Sequence, residues 1–313
     1  MSENLPTVSV IVPAREAQAT VGKTIDSILG QSYPRIVEII VAAADRPTAE
    51  TASGHGAVVI HNPSGSTPAG LNLAIAAASG DVVVRCDAHA ELPPEYVQRA
   101  VELLLTTGAE AVGGMQVPVG FGYMERSIAT AMSDPVGAGD ARYRIGGEPG
   151  PVETVYLGVY RRDTLIDLGG FDEAFARSQD YELNHRIIDG GGVVWFDPRL
   201  RVAYTPRGSL KDLALQYYRY GAAKRQLSGV HPGSLRWRQL AAPTLILILI
   251  AAVVASIWVP WAALALPSYL ALLLMASLRH GSLAPGVTAS LAVIHLSWGT
   301  GFLLADRRAP DVR

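Results

Sequence analysis

Short apolar, β-branched runs alternate with helical patterns through the first 240 residues. Residues 8–12 read as a strand, and 20–29 as a helix that places Ile25 and Ile28 on one face. Strands are predicted at 37–42, 58–61 and 81–86, with a helix opening at Thr67-Pro68 and running to Ala78 between the last two. Thr67 suits the N-cap there and Pro68 the first helical position. Pro93-Pro94 opens a further helix through Thr106, and 111–117 returns to strand. Residues 120–150 are rich in Gly and Pro with no sustained period, so the expectation is a long functional loop or an irregular insert. A strand at 152–157, a helix at 180–189 and a strand at 193–196 follow. This alternation predicts an α/β architecture with a mostly parallel, Rossmann-like sheet flanked by helices.

The pattern changes at Arg207. Between there and Arg238 the chain carries Arg207, Lys211, Arg219, Lys224, Arg225, Arg236 and Arg238 against one acid, Asp212. Leu210, Leu213, Tyr217 and Tyr220 recur at helical spacing. Two readings fit: an amphipathic helix lying on anionic lipid, or a helix packed on its own domain. Three uncharged stretches follow, 241–259, 261–278 and 287–305. Each approaches the roughly 20 residues that cross a bilayer, and Trp258, Trp261 and Trp298 suit interfacial belts. The basic residues disagree about topology. Arg236, Arg238, Arg279 and His280 fit an inside position after a hairpin, yet Arg307, Arg308 and Arg313 also favour the inside after a third span. The expected division is a cytoplasmic catalytic domain at 1–206, amphipathic interfacial helices at 207–239, a membrane region of two or three spans at 240–306, and a tail at 307–313.

Composition sharpens this picture. A net charge of −2 argues against general affinity for nucleic acid. Mean hydropathy is +0.23, with 17% charged residues. Cys86 is the single cysteine, which excludes an intramolecular disulfide and a cysteine-built zinc site. Its place in an apolar run makes it a buried strand cysteine. The first six residues show no basic region followed by an apolar one, so no signal peptide is expected and the catalytic domain should stay in the cytoplasm.

Candidate chemistry begins at Asp87-Ala88-His89, directly after a buried strand. In an extended chain Asp87 and His89 project the same way, and together they can hold a divalent ion that bridges phosphates. The C-terminal end of a central parallel strand is where open α/β sheets bind ligands. Asp180 and Glu182 lie in the first turn of a predicted helix, where acids also complement the helix dipole; of the two, Asp180 is better placed to act as a base. Gln216, Arg219 and Tyr220 share a helical face. Arg219 suits either a pyrophosphate or a lipid phosphate.

Taken in order, these elements resemble the family-2 glycosyltransferases of the GT-A fold over roughly residues 8–225. Val8-Ser9-Val10-Ile11-Val12-Pro13-Ala14-Arg15-Glu16 is similar to that family's first strand and nucleotide loop. Asp45 matches its base-binding acid, and Asn62-Pro63 through Gly70-Leu71-Asn72 the segment leading into the third helix. Asp87-Ala88-His89 matches the Asp-x-Asp metal motif with His in the second place. Gly169-Gly170-Phe171-Asp172-Glu173 followed by Gln179-Asp180 matches the acceptor region, with Gln179 where the family has Glu. Gln216 to Tyr220 is similar to Gln-x-x-Arg-Trp with Tyr220 for Trp. The Arg85-Cys86-Asp87-Ala88-His89-Ala90 run and the C-terminal spans look most like the succinoglycan glucosyltransferase branch.

The resemblance implies an inverting, metal-dependent transfer of sugar from a nucleotide-sugar donor, a UDP-sugar by analogy with the branch, to a membrane lipid-linked acceptor. It implies donor contacts from Pro13, Ala14, Glu16, Asp45, Asn72, Asp87 and Arg219, and Mg²⁺ or Mn²⁺ on Asp87 and His89. It makes Asp180 the base and puts Gln179, Gln216 and Tyr220 in the acceptor or leaving-group region. Two rivals stand beside it. One is a polyprenyl-phosphate sugar synthase, whose acceptor is already ionised. The other is an inactive membrane scaffold, for which His89, Gln179 and Tyr220 are the arguments.

Overall fold

The computed structural model of the chain describes residues 5–306. They form two compact units. A sheet unit takes the chain up to Val117 together with Gly146–Ala203, and a helical unit takes Pro118–Ile145 together with the chain from Tyr204 onward.

The sheet unit is built on strands β1 (Val8–Ala14), β2 (Ile36–Ala43), β3 (Val58–His61), β4 (Val82–Arg85), β5 (Ala111–Pro118), β6 (Gly150–Pro151), β7 (Tyr156–Arg161) and β8 (Val194–Tyr204). Their order is β3-β2-β1-β4-β7-β5-β8-β6. β1 pairs in parallel with β2 and β4, and β2 with β3. β7 is antiparallel to both of its neighbours, β4 and β5. Helices α1 (Val21–Leu29), α2 (Arg46–Gly54), α3 (Thr67–Ala77), α4 (Tyr96–Thr107), α8 (Arg162–Asp167) and α9 (Gln179–Asp189) complete the unit.

Period-2 alternation explains how both faces are covered. Val8, Val10, Val12, Val82 and Val84 pack with Ile25 and Ile28 of α1 and Val101 and Leu104 of α4. Ile11 and Val83 point the other way, into a core with Leu71 and Ile75 of α3 and Leu183 and Ile187 of α9. Ser66, one residue earlier than expected, is the N-cap of α3. Cys86 is free and buried, as its sequence context indicates. Burial pushes its thiol far up, and the neighbouring Asp87 adds to this, so it is inert.

The stretch 120–150 is not the irregular loop expected. It contains α5 (Tyr123–Ser133), α6 (Pro135–Ala138) and α7 (Arg142–Ile145). Glu125 accepts the backbone N–H of Phe121 at 2.9 Å and of Gly122 at 3.3 Å, which closes the first turn of α5. Ser127, Ile128, Ala131 and Met132 form its buried face. The small residues in that stripe hid it from a hydrophobicity reading.

The helical unit also holds α10 (Leu210–Val230), α11 (Ala241–Ala255), α12 (Ala265–Ser277) and α13 (Ala284–Leu304). Ile128 and Met132 of α5, Leu213 and Tyr217 of α10, Leu273 of α12, and Val287, Leu291 and Ile294 of α13 share one core. Leu213 and Tyr217 on the apolar face of α10 are therefore covered by α5, α12 and α13. Two helical stretches, Trp237–Ala255 and Pro260–Leu304, are long and apolar enough to cross a membrane; the second bends at Gly281, where φ is 59°. Ile257, Trp258 and Trp261 are each 74% exposed. Trp298 instead stacks on Phe302 at 5.5 Å. Arg279 and His280 are not free topology signals, because both bind the buried carboxylate of Asp134, at 2.7 and 2.8 Å. Burial works against the charged form of Asp134, but these partners and the Val136 N–H hold its carboxyl below the usual range. Arg307, Arg308, Arg313 and the 307–313 tail lie outside the described residues.

Glycine sets the α10–α13 spacing. A Cβ on Gly221 would come within 2.0 Å of the Trp298 carbonyl oxygen, and one on Gly301 within 2.0 Å of that of Tyr218. Small residues allow backbones to approach this closely. Gly301→Leu is expected to force the helices apart at a cost of about 1–3 kcal/mol or more, read as a lower melting temperature in detergent. Gly54→Ala, where an added Cβ meets nothing within 4 Å, is the matched control and should melt like the parent protein.

Candidate active site

The parallel strands β1, β2 and β4 all end on one edge of the sheet, because their registers run together. Pro13 and Ala14 close β1. Glu16 follows with a left-handed φ of 50°, a conformation that non-glycine residues adopt at some cost. Its backbone N–H donates to Asp45 Oδ2 at 2.6 Å. Asp45 is also the N-cap of α2, its Oδ1 accepting the Thr48 N–H at 3.0 Å. These backbone donors, Glu16 first, hold the Asp45 carboxyl below the usual range. The loops after β1 and β2 are thus tied together by a fixed negative charge.

Arg85 is the residue that sequence reasoning missed. It shares the β4 face of Val83, which looks toward α9. Its side chain is 6% exposed. Nη2 donates to Asp87 Oδ1 at 2.9 Å, and Nη1 pairs with Asp180 Oδ1. One guanidinium therefore gathers the metal-motif acid and the candidate base, which lie on separate elements. The signal was present: an arginine at the end of a three-valine strand must find counter-charges, because an unpaired buried cation is costly. With two carboxylates on one guanidinium, the cluster carries a net charge of −1 and is suited to a further cation.

Asp180 sits in the first turn of α9, after Ser178, whose φ is 61°. Glu182, its neighbour in that turn, is buried and held by both Nε and Nη2 of Arg186 at 2.7 Å. Glu182 is thus committed to structure. Gln179 is buried beside them. Tyr156 on β7 stands near Asp87; burial, with the Asp87 charge adding to it, pushes its phenol well up. Its place in a strand carried no separate signal.

Asn72 was expected to contact the donor. In the structure its amide is occupied otherwise. Nδ2 donates to the Phe171 carbonyl at 2.8 Å and to Glu173 Oε1 at 3.1 Å, while Oδ1 accepts the Phe171 N–H at 2.8 Å. A Cβ on Gly170, where φ is 75°, would come within 2.4 Å of Asn72 Oδ1. Asn72 thus fastens the 169–173 loop, and only glycine permits the approach.

No group of three or more His, Cys, Asp or Glu among the described residues can hold a metal by itself. Ions that act on phosphates take one or two protein ligands and draw the rest from substrate oxygens and water. Asp87, whose Oδ1 meets Arg85, and the exposed imidazole of His89 fit that donor set. Gln216, Arg219 and Tyr220 lie in the helical unit. Gln216 Nε2 donates to the hydroxyls of Tyr204 at 3.0 Å and Tyr220 at 2.9 Å, and Arg219 is half-buried.

Comparison with known proteins gives this geometry its family. The model of "Glycosyl transferase family 2" matches residues 9–169. The chain belongs to glycosyltransferase family 2. The succinoglycan biosynthesis protein ExoA of Rhizobium meliloti is 31% identical over 252 residues, covering 78% of this chain and 76% of that protein. The glycosyltransferase AglE of Haloferax volcanii is 25% identical over 245 residues, covering 75% and 79%. Among solved structures, the mannosyltransferase PcManGT of Pyrobaculum calidifontis, in complex with GDP-Man and Mn²⁺, superposes with a TM-score of 0.65 at 18% identity, over 97% of this chain and 88% of that one. That likeness, with the mostly parallel sheet, shows the GT-A fold. This family-2 glycosyltransferase is therefore an enzyme of sugar transfer, as the motif order implied.

Proposed function

We propose that this glycosyltransferase moves a sugar from a nucleotide-sugar donor, a UDP-sugar, to a membrane lipid-linked acceptor with inversion at the anomeric carbon. The observation that carries the reading is the buried guanidinium of Arg85, which bonds both Asp87, the proposed donor-side acid, and Asp180, the proposed base. Pro13, Ala14, Glu16 and Asp45 bind the base and ribose at the ends of β1 and β2. Asp87 and His89 are the residues to hold Mg²⁺ or Mn²⁺, which when bound supplies positive charge to the leaving diphosphate. The GDP-Man and Mn²⁺ of the PcManGT complex support a nucleotide donor and a divalent ion. Asp180 takes the proton of the acceptor hydroxyl as its oxygen attacks. Asn72 fixes the loop that borders the acceptor side. Arg219 supports the departing diphosphate, with Gln216 and Tyr220 beside it. The outward-facing apolar residues of 241–264 support a multi-pass place in the cell membrane, in contact with its lipids, with the catalytic unit cytoplasmic.

The test is transfer by the full chain in native membranes, offered a panel of labelled nucleotide sugars, with the lipid fraction then extracted. One donor should label the lipid. EDTA should reduce that label to background, and added Mn²⁺ or Mg²⁺ should restore it. Label that survives EDTA would remove the metal role. No labelled lipid and no nucleotide binding would favour the inactive scaffold.

A further inference from the structure

The three apolar helices of the helical unit do not share one environment. Along α11 and α12, Leu247, Ile250, Val253, Leu266, Leu272 and Met275 are 45–67% exposed. Along α13, no residue from 286 to 303 is exposed. Its cover comes largely from charged helices. Near its start the Gly286 N–H donates to the Tyr123 hydroxyl of α5 at 3.2 Å, and midway His295 Nε2 donates to the Val136 carbonyl of α6 at 2.7 Å. Near its end Gly301 lies against the Tyr218 backbone of α10, and the Arg225 guanidinium stands over the Phe302 ring at 5.3 Å. α5 carries Glu125 and Arg126, and α10 carries Lys211, Asp212, Arg219, Lys224 and Arg225. Helices so charged do not lodge in hydrocarbon. They also begin close to strands: residues 119–122 join β5 to α5, and residues 205–209 join β8 to α10. Connections of this length reach about 18 Å at most, short of the roughly 30 Å of a bilayer core. The chain itself therefore keeps both covering helices on the catalytic side of a bilayer.

The two ends of the α11–α12 hairpin are held on that side as well. Arg238, just before α11, pairs with Asp140 at 2.5 Å, and Arg279, just after α12, binds Asp134 at 2.7 Å. Both acids flank α6, in the stretch that follows α5. Between the two arginines, residues 239–278 carry no charge. Trp258 and Trp261, both 74% exposed, stand at the turn between the helices, and tryptophans suit a membrane interface. We propose that the hairpin is the surface this protein offers to lipid. α11 and α12 enter the bilayer and return, while α13 does not cross and forms the layer between them and the charged helices α5 and α10. The disagreement among the basic residues of the sequence then disappears. The hairpin returns the chain to the catalytic side before Arg279, and α13 keeps it there, so the basic residues that follow in the sequence obey the same rule as Arg236 and Arg238. This surface presupposes the membrane placement proposed above and is independent of the transfer chemistry.

The test is sided labelling of the full chain with a membrane-impermeant maleimide, in inverted and in right-side-out vesicles. Native Cys86 is 0% exposed and stays silent in the folded protein. Single cysteines are placed at four exposed positions, where folding tolerates them. Ser53→Cys, on α2, reports the catalytic side. Ser282→Cys, between α12 and α13, and Asp306→Cys, just after α13, should both label in the same vesicles as Ser53→Cys and lose that label in the opposite ones. Ile257→Cys, at the hairpin turn, should stay unlabelled from the catalytic side until detergent is added. Labelling of Asp306→Cys from the face opposite to Ser53→Cys and Ser282→Cys would make α13 a further span and overturn the proposal. Labelling of Ile257→Cys from the catalytic side in sealed vesicles would overturn it as well, because the hairpin would then lie outside the lipid. An alkaline carbonate wash separates the two levels of the claim. Protein released by the wash removes the membrane placement itself, and this surface with it. Protein retained by the wash, with Asp306→Cys on the far face, removes this surface alone.

Discussion

Arg85→Met is expected to stop sugar transfer and to lower stability by about 3 kcal/mol, the low end for breaking a buried ion pair. The low end applies because the partner carboxylates, at 21% and 25% exposure, keep some water. The loss of activity has a separate cause. Without the guanidinium, Asp87 and Asp180 repel each other and lose the group that fixes their spacing. Arg85→Lys separates the two effects. An ammonium restores the charge but cannot fork to two carboxylates. It should keep most of the stability while transfer still falls about 100-fold, the scale of a misplacement near 1 Å. Denaturant melts and transfer assays on the two variants check this. Parent-like transfer by Arg85→Met would show that the bridge is incidental to the chemistry.

Arg85 also shows where a sequence stops being legible. Three valines in β4 announce a strand buried on both faces, and an acid just beyond it announces a ligand site. Both are local statements. The pairing of Arg85 with Asp180 reaches across 95 positions and depends on α9 packing over the β4 face that holds Val83. Asn72 is a different case. The motif marks its position, but whether its amide faces a ligand or the 169–173 loop depends on a turn that Gly170 alone permits. In the helical unit the ambiguity is physical. The apolar stripe of α10 reads the same whether lipid or another helix covers it. The distinguishing residues are Gly221 and Gly301, whose lack of a side chain admits α13 but leaves no mark in a hydrophobic pattern. The charges of Arg279 and His280 looked like loop charges because their partner, Asp134, lies far earlier in the chain, in a stretch that reads as irregular.

Asp180→Asn is expected to reduce transfer by about 10²- to 10⁴-fold, the usual contribution of a positioned general base. Asn keeps the shape of the side chain and its helix position, so the change removes charge and proton affinity rather than packing. Neither neighbour in the first turn of α9 can substitute. Glu182 is 1% exposed and fully engaged with Arg186, and position 179 is a glutamine. Donor binding should persist, because Glu16, Asp45 and Asp87 are untouched and Arg85 keeps Asp87 as a partner. The expected signature is therefore a fall in kcat with nucleotide-diphosphate binding retained. Asp180→Glu tests geometry in the same assay: it restores the charge one methylene further out, and partial recovery would show that both charge and reach matter. The acceptor's own chemistry decides the outcome that would break this account. A hydroxyl must lose its proton as it attacks, so it needs Asp180. A phosphate arrives ionised and does not. Undiminished transfer by Asp180→Asn, with a rate insensitive to pH, would mean that the acceptor is a phosphate and that Arg85 holds Asp180 for its charge alone.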